Sequence, residues 1–332
     1  MKKVVVYGMG GFYRKIKNEI EKEAEIVAYA NTNEALSTSQ TGNLFEGKEV
    51  LTVSEIANIE FDSVYICTEA YNANPIYELL RTNNIPSSKI EFLWKRVIKG
   101  VKWIDHPVED GFISDIDGIK ILQRFHTDYD FVPEVFYYNT YNIDLGDEDC
   151  VVIDVGMNIG IASLFFASKS SVKKVYGYEP FPDTFDQAIA NFGLNEVIIS
   201  QKIIPHNIGL SNKDEELDIA ISADESGYRD IFSPASNDNS VHIVCKDAGT
   251  IVNEIASDNK GYKIILKVDT EGSEYDIFDS LKRNDSFKRI DSILMEYHKG
   301  SDVLVKQLKE EGFKLLMPGA VGSDIGMLYA FR

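Results

Sequence analysis

Short apolar runs alternate with helical patterns along most of this 332-residue chain. The runs CVVIDV, KVYGY and KIILKV are rich in β-branched or aromatic residues and are followed by stretches with helical spacing of apolar residues. Strands that are apolar throughout are typical of parallel sheets covered on both faces, and parallel strands need crossover connections, usually helices. The alternation therefore predicts an α/β fold with doubly wound, Rossmann-like sheets.

The alternation occurs in two series that a segment of different character separates. The first series covers residues 1–93, and the second begins at about residue 147. Between them, residues 94–146 contain Trp94, Trp103 and a cluster of phenylalanines and tyrosines. A chain of this length commonly holds more than one domain. We predict two Rossmann-like domains, 1–93 and 147–332, with 94–146 as a connecting aromatic segment that packs on the second domain.

Composition excludes several classes of partner. Lys and Arg total 34 against 53 Asp and Glu, and the resulting net charge of −19 repels phosphate backbones and anionic membrane surfaces. No run approaches the roughly 18 apolar residues that a membrane helix requires. Three widely separated cysteines form no CxxC pair. We expect a cytoplasmic protein without nucleic-acid binding or membrane insertion, and a homo-oligomer is compatible with this composition.

The run CVVIDVG leads directly into a glycine turn and a predicted helix. At the carboxyl end of a parallel strand, Gly156 and Gly160 would let backbone approach a ligand closely. Asp154 and Asn158 add polar side chains to this turn. The next strand ends in Glu179, where a carboxylate commonly accepts both hydroxyls of a ribose. The combination predicts an adenosine-containing ligand; the alternative is a helix cap at Asp154 and a solvated strand end at Glu179.

The spacing of this turn separates two cofactor classes. It reads DxGxNxG and not GxGxxG, so the glycine spacing that seats a pyrophosphate at a helix N-terminus is missing, which favours S-adenosylmethionine. With YEP, NIGLSN, KVDTEG and MEYH following DVGMNIG, the region from about 136 to 332 resembles the FkbM-type methyltransferases, class I enzymes that use S-adenosylmethionine. The resemblance implies a seven-stranded sheet ending in an antiparallel strand.

The resemblance also implies which residues contact the cofactor. The glycine turn would line its methionine end, the end of the second strand would bind its ribose, and two further residues would flank its adenine. In that order the residues are Asp154, Gly156, Asn158, Gly160, Glu179, Phe181 and Asn207. The sequence departs from the family at Met157, where a small residue is usual, but this side chain need not face the cofactor.

Ionisable residues at the ends of two later strands are candidates for the chemistry. Methyl transfer requires alignment of the acceptor and removal of its proton. Asp269 and Glu271 follow one strand, and Glu296 and His298 end the next. Because an unperturbed imidazole has a pKa of about 6.5, His298 is expected to accept the proton, with Asp269 second. These residues could instead hold Mg²⁺ or Mn²⁺, which we do not favour, or could be helix caps and surface strand ends.

An aromatic cluster precedes the second series. Tyr137, Tyr138 and Tyr141, together with His126, could form a stacking wall for a sugar acceptor. Aromatic clusters more often fill the core between layers. Packing is therefore the favoured interpretation.

The first domain has a glycine turn of its own, GMGGFYRK. Arg14 and Lys15 lie near the predicted helix N-terminus, where an anion would be stabilised. Gly8 and Gly10 match the first two glycines of GxGxxG, but Tyr13 takes the third position and no acidic residue ends the second strand. The domain resembles the nucleotide-binding-like domain of bacterial enzymes of surface polysaccharide synthesis. It would hold a nucleotide sugar, dock a partner, or only pack.

These observations lead to one functional prediction and two alternatives. The prediction is an S-adenosylmethionine-dependent O-methyltransferase that acts on a sugar or glycan-linked hydroxyl in bacterial surface polysaccharide biosynthesis, with a small molecule or a glycan as acceptor. The first alternative is an NAD-dependent sugar-nucleotide oxidoreductase or epimerase that works from the first domain. The second is a non-catalytic scaffold that binds the cofactor without turnover.

Overall fold

The computed structural model describes residues 1–32, 44–97, 101–108, 111–124, 128–143, 148–220, 240–318 and 323–332. The chain divides into two compact units. Unit 1 consists of Met1–Asp117 and Leu122–Pro133, and unit 2 consists of Gly118–Ile121 and Glu134–Arg332.

Unit 1 begins with a five-stranded sheet, as the first series of apolar runs predicts. The strands are β1 (Lys2–Tyr7), β2 (Ala24–Ala30), β3 (Val50–Leu51), β4 (Ser63–Ile66) and β5 (Ile90–Phe92). The helices among them are α1 (Gly11–Glu23), α2 (Val53–Ile56) and α3 (Ala70–Thr82). All neighbouring strands are parallel, in the order β3-β2-β1-β4-β5. The sheet is therefore of the Rossmann-like type.

The segment after β5 is divided between the units. Its elements are β6 (Trp103–Val108), β7 (Gly111–Ile116), β8 (Ile119–Gln123) and α4 (Asp128–Phe136), of which β8 and α4 cross the boundary. Within unit 1, β6 and β7 form an antiparallel hairpin. The rings of Trp94 and Trp103 pack edge to face at 5.0 Å, and Phe112 lies 6.0 Å from Phe92 of β5. Much of the expected connecting segment 94–146 thus packs with the first domain, because its rings meet the edge of the first sheet.

Unit 2 contains most of the remaining elements. Its strands are β9 (Cys150–Val155), β10 (Val172–Tyr178), β11 (Ile203–His206), β12 (Gly209–Ser211), β13 (Glu215–Ala220), β14 (Ser240–Asp247), β15 (Lys263–Val268), β16 (Ser292–Tyr297), β17 (Lys314–Leu316) and β18 (Gly326–Phe331). Its helices are α5 (Ile161–Ala167), α6 (Pro182–Gly193), α7 (Val197–Ser200), α8 (Ala248–Asp258), α9 (Glu274–Arg283) and α10 (Asp302–Glu310).

The main sheet of unit 2 has seven strands in the order β11-β10-β9-β15-β16-β18-β17. The first five are mutually parallel, and β18 runs antiparallel to both of its neighbours. This confirms the predicted seven-stranded doubly wound sheet. The antiparallel strand is the last in sequence and lies between β16 and the edge strand β17. A second, three-stranded sheet has the order β12-β14-β13.

Alternation of side chains along β9 separates the core from the site. Ile153 and Val155 lie in the large apolar core together with Val252 of α8 and Phe278 of α9. Because successive side chains point to opposite faces of a strand, Asp154 lies on the other face. Full burial of an aliphatic or aromatic side chain of this size contributes about 1.5–3 kcal/mol. The core therefore holds the strand that presents the glycine turn.

In the described part of the chain, no helix is both long and apolar enough to span a bilayer. The cysteines, Cys67, Cys150 and Cys245, are all buried free thiols.

Candidate active site

The glycine turn after β9 meets the end of β10. These strands are parallel neighbours, and the Asn158 N–H donates a hydrogen bond of 3.0 Å to Oε2 of Glu179. The N–H of Phe181 donates to Oε1 of the same carboxylate, also at 3.0 Å. Burial raises the pKa of Glu179 to about 7, although the two backbone hydrogen bonds oppose the rise. Each carboxylate oxygen retains acceptor capacity, so this carboxyl fits a ribose hydroxyl.

Gly156 and Gly160 meet a requirement that the sequence did not reveal. Both have left-handed backbone, with φ of +76° and +84°. A Cβ at Gly156 would lie 1.7 Å from the carbonyl oxygen of Asp269, and one at Gly160 would lie 2.4 Å from the ring of Phe192. The expected reason for these glycines was approach to a ligand. In the structure their first requirement is the close packing of the chain itself, which brings the turn after β9 against the loop after β15.

A buried ion pair lies beneath the turn. Nζ of Lys267 is 3.0 Å from Oδ1 of Asp154, and the Ser163 hydroxyl donates to Oδ2 at 2.6 Å. Lys267 also donates to the carbonyl oxygen of Gly156 at 2.5 Å. Burial disfavours the ammonium, but Asp154 and Asp269 hold the pKa of Lys267 above its ordinary value. Asp154 is completely buried and makes no side-chain cap to α5, so its contact is with Lys267 and Ser163.

The two residues expected beside the adenine hold the loop after Glu179. The side-chain amide of Asn207 donates to the carbonyl oxygens of Glu179 and Pro180 at 2.9 and 3.1 Å. Phe181 is buried in a small core that it shares with the second sheet of unit 2. Asn207 is exposed, whereas Phe181 is not. Of this pair, Asn207 is the side chain that solvent reaches.

Met157 points away from the surface of the turn. Its side chain is buried, and a Cβ added to Gly177 of β10 would lie 2.2 Å from its sulfur. Gly177 of the neighbouring strand therefore leaves room for this methionine side chain.

The ends of β15 and β16 bring a second set of ionisable groups together. Asp269, Glu296 and His298 each place one ligand atom within 4.8 Å of the other two. Glu271 adjoins them, with Oε2 3.4 Å from Nε2 of His298. All four residues expected to carry the chemistry thus lie in one cluster, which we call the acidic cluster.

The surroundings of His298 do not suit the proton-accepting role that the sequence predicted for it. Its Nδ1 lies 3.0 Å from Oε1 of the buried Glu274, and its Nε2 faces Glu271. Burial disfavours the charged ring, but the hydrogen bond to Glu274 and the nearby carboxylates raise the pKa of His298 to about 9. The ring is therefore an imidazolium at neutral pH, which corrects the assumption of an unperturbed pKa. An imidazolium cannot accept the acceptor's proton.

Two carboxyl groups have the proton affinity that His298 lacks. Burial, followed by the charge of Asp269, raises the pKa of Glu296 to about 7. Burial, Asp269 and Glu296 raise the pKa of Glu134, at the end of α4, to about 8. Groups with pKa values near the working pH are the efficient general bases. Sequence reasoning missed Glu134, although a lone acidic residue in the run FVPEVF was an available signal.

The aromatic segment reaches the acidic cluster through one tyrosine. Tyr141 is buried, as the packing interpretation predicts, and its hydroxyl donates to Oδ2 of Asp269 at 3.1 Å. The rings of Tyr137 and Tyr138 contact each other at 4.9 Å, and Tyr138 is 51% exposed. His126 lies outside the described residues. Tyr141 therefore both packs and contacts the site.

The acidic cluster fits a divalent cation poorly. Asp269 and Glu296 offer the oxygen ligands that Mg²⁺ prefers. However, Nε2 of His298 faces Glu271, and a ring with a pKa of about 9 must lose a proton before it can bind a metal. The positively charged His298 ring already neutralises part of the negative charge that a divalent cation would neutralise.

The glycine turn of unit 1 is built differently. Tyr13, at the position of the third motif glycine, is completely buried, and its hydroxyl contacts that of Tyr29 at 2.6 Å and Oε2 of Glu46 at 2.8 Å. Arg14 and Lys15 are exposed on the first turn of α1. This turn has basic residues nearby but no strand-end carboxylate.

Two family descriptions match the chain. Residues 154–315 match the Methyltransferase FkbM domain, and residues 1–91 match C2185-like, N-terminal. The chain is an S-adenosylmethionine-dependent methyltransferase. The residues that match the FkbM description lie within unit 2 and include both the glycine turn and the acidic cluster.

Similar proteins cover parts of this methyltransferase. Methyltransferase 1 of Beauveria bassiana is 24% identical over 201 residues, which are 54% of this chain and 78% of that protein. Hexuronic acid methyltransferase AglP of Haloferax volcanii is 25% identical over 167 residues, 48% of this chain and 61% of that protein. The solved structure of precorrin-6y C5,15-methyltransferase from Geobacter metallireducens covers 66% of this chain and 96% of its own, with 10% identity and a TM-score of 0.35.

Proposed function

We propose that this methyltransferase transfers the methyl group to a hydroxyl of a sugar or of a glycan-linked residue. The observation that carries the proposal is the contact between the turn after β9 and the loop after β15, where Gly156 lies against Asp269. The contact brings a turn suited to the cofactor beside carboxyl groups suited to proton removal. A hydroxyl acceptor needs both, because it is a poor nucleophile until it is deprotonated.

In this proposal residues 156–160 line the methionine end of the cofactor. Glu179 accepts hydrogen bonds from the ribose hydroxyls through the acceptor capacity that its two backbone bonds leave. The buried pair of Asp154 and Lys267 holds the turn in place. Asn207 and the loop it fixes lie on the adenine side. S-adenosylmethionine supplies the electrophilic methyl group.

Glu296 is the proposed general base. It takes the hydroxyl proton of the acceptor as that oxygen forms its bond to the methyl carbon. Asp269, which accepts a hydrogen bond from Tyr141, positions the acceptor beside this base. The His298 imidazolium holds the carboxylates that surround its ring in place. Positioned general bases typically contribute about 10²–10⁴-fold to the rate.

The setting of the reaction is the second part of the proposal. One relative is by its name a hexuronic acid methyltransferase, which supports a saccharide acceptor. We place the reaction in the cytoplasm, in bacterial surface polysaccharide biosynthesis, with unit 1 as a holder of a nucleotide sugar or of a partner protein.

Transfer of a labelled methyl group tests the proposed function. The purified protein would be incubated with labelled S-adenosylmethionine and a panel of nucleotide sugars and oligosaccharides, and methylated products would be identified by mass spectrometry. We expect at least one O-methylated saccharide. Cofactor binding by calorimetry without a methylated product across the panel contradicts the saccharide assignment.

A further inference from the structure

We infer that the acceptor site selects an uncharged or amino sugar and rejects a sugar that carries a carboxylate. The inference rests on the proposed function and narrows its substrate class. It separates this methyltransferase from a relative whose name specifies hexuronic acid. It rests on the carboxyl groups around the acceptor, on the pairing of the nearby cations, and on the need for a general base.

Carboxyl groups predominate among the ionisable side chains around the acceptor. The carboxyl groups of the acidic cluster and its neighbour in α4 are Asp269, Glu271, Glu296 and Glu134. In the described part of the chain, the cations that lower the pKa of Glu296 are His298 and Lys267. The carboxyl groups therefore outnumber the cations that act on them.

Neither cation is available to a substrate carboxylate. Lys267 is 2% exposed and contacts Asp154 and the Gly156 carbonyl oxygen. His298 lies between Glu274 and Glu271, which occupy both of its ring nitrogens. A carboxylate on the acceptor would therefore lie among carboxyl groups without a free counter-ion, and juxtaposition of like-charged groups is a common means of rejecting a wrong ligand.

The need for a general base separates hydroxyl acceptors from carboxylate acceptors. A carboxylate acceptor is already ionised, so transfer to it forms the C–O bond as the C–S bond breaks and requires no proton removal. A hydroxyl forms the same C–O bond but must also lose its proton, here to Glu296, while sulfur retains the electron pair of the broken bond. The Glu296 carboxylate, with a pKa of about 7, can accept a proton near neutral pH, and a hydroxyl acceptor makes use of it.

A matched trio of acceptors tests the inference. UDP-glucose, UDP-glucosamine and UDP-glucuronic acid would be compared by kcat/KM for methyl transfer, in a buffer without divalent metal. We expect kcat/KM for the hexose and for the hexosamine to exceed kcat/KM for the uronic acid by about 30-fold or more. This difference should narrow in 0.5 M KCl because salt screens charge repulsion: the Debye length is about 10 Å at 0.1 M and shorter at higher salt. Glu271→Gln should narrow the difference in kcat/KM by about tenfold, whereas Glu310→Gln, at an exposed position, should leave the difference unchanged.

The outcomes separate this inference from the proposed function. Equal or faster methylation of the uronic acid overturns the inference and leaves a saccharide methyltransferase. Activity on the uronic acid that appears only with Mg²⁺ also overturns it, since a metal would then set the charge of the site. Absence of transfer to all three, with S-adenosylmethionine bound, overturns both. The salt dependence of the unmodified protein tests the charge argument even where Glu271→Gln does not fold.

Discussion

The two glycine turns of this chain share a local design and differ in their surroundings. Each follows a buried parallel strand and opens a helix. In unit 2 the turn contacts a strand-end carboxylate, Glu179, and rests on the pair formed by Lys267 and Asp154. In unit 1 the corresponding region contains the buried ring of Tyr13, and β2 ends in Ala30. A glycine turn therefore indicates a cofactor site only together with the strands beside it.

The largest expected effect is at the acidic cluster, which the turn of unit 2 adjoins. Glu296→Gln keeps the shape of the side chain and removes its ability to accept a proton. We expect kcat to fall by about 10²–10⁴-fold with unchanged cofactor affinity. Single-turnover methyl transfer and calorimetry measure the two quantities. Glu310→Gln, at an exposed position in α10, is the matched control, and wild-type turnover in Glu296→Gln would transfer the role to Glu134.

Lys267→Met breaks the support beneath the turn of unit 2. The substitution keeps most of the side-chain volume and leaves the buried Asp154 without its partner. Removing one member of a buried pair costs about 3–5 kcal/mol of unfolding free energy. Urea denaturation measures the loss, and Lys267→Met combined with Asp154→Asn should recover part of it. A loss of less than about 1 kcal/mol would show that the pair does not support the turn.

Glu179→Ala tests the feature that distinguishes the two turns most directly. Loss of hydrogen bonds to a charged acceptor should weaken S-adenosylmethionine binding by about 1.5–3 kcal/mol. Isothermal titration calorimetry measures the change. Asn31→Ala, after the second strand of unit 1, is the corresponding control and should leave the affinity unchanged. Equal effects of both substitutions would contradict the assignment of the cofactor to unit 2.

His298 predicts a pH dependence of stability that arises in unit 2. Its pKa rises from the ordinary 6.5 to about 9 in the folded protein, so its stabilising contribution is complete below pH 6.5 and is lost as the pH rises through 9. We expect the unfolding free energy of the unmodified protein to fall by about 1–3 kcal/mol more than that of His298→Gln over this interval. Denaturation curves at pH 6 and pH 9.5 give the comparison. Parallel profiles would mean that the ring is not charged in the folded state.

The smallest effect is expected in unit 1. Tyr13→Phe removes a buried hydroxyl that contacts Tyr29 and Glu46. The cost should be about 0.5–1.5 kcal/mol of unfolding free energy, with methyl transfer and cofactor affinity unchanged. Thermal denaturation and the transfer assay measure both. A weakened cofactor affinity in this variant would contradict the proposal that the turn of unit 2, and not that of unit 1, binds the cofactor.

The sequence predicted the features that depend on neighbouring residues along the chain. Strand, glycine turn and helix are adjacent in sequence around Asp154, and the alternation of elements sufficed to predict two Rossmann-like sheets. The antiparallel last strand of unit 2 was implied by the resemblance to the FkbM-type methyltransferases. The candidate catalytic residues were chosen because each ends or follows a strand of a parallel sheet, and the structure brings their side chains together. Their roles stay predictions.

The sequence did not predict the interactions that arise across the sheet. Lys267 reads as one polar residue within a strand, and only the register of β15 against β9 places it opposite Asp154. The charge of His298 depends on Glu274, which belongs to a different element. Glu134 and Tyr141 come from a segment whose pattern favoured packing over contact with a sugar acceptor. Burial and partner charge, which decide these roles, are properties of the folded chain.

The missing side chain at Gly156 couples the two parts of the proposed site mechanically. Because the bend after β9 touches the carbonyl of Asp269 with no space for even a methyl group, the residues proposed to bind the methyl donor cannot shift without moving those proposed to bind the acceptor. The two proposed binding regions therefore form one rigid unit. Any redesign of acceptor preference is best confined to the surrounding side chains, leaving this backbone spacing intact.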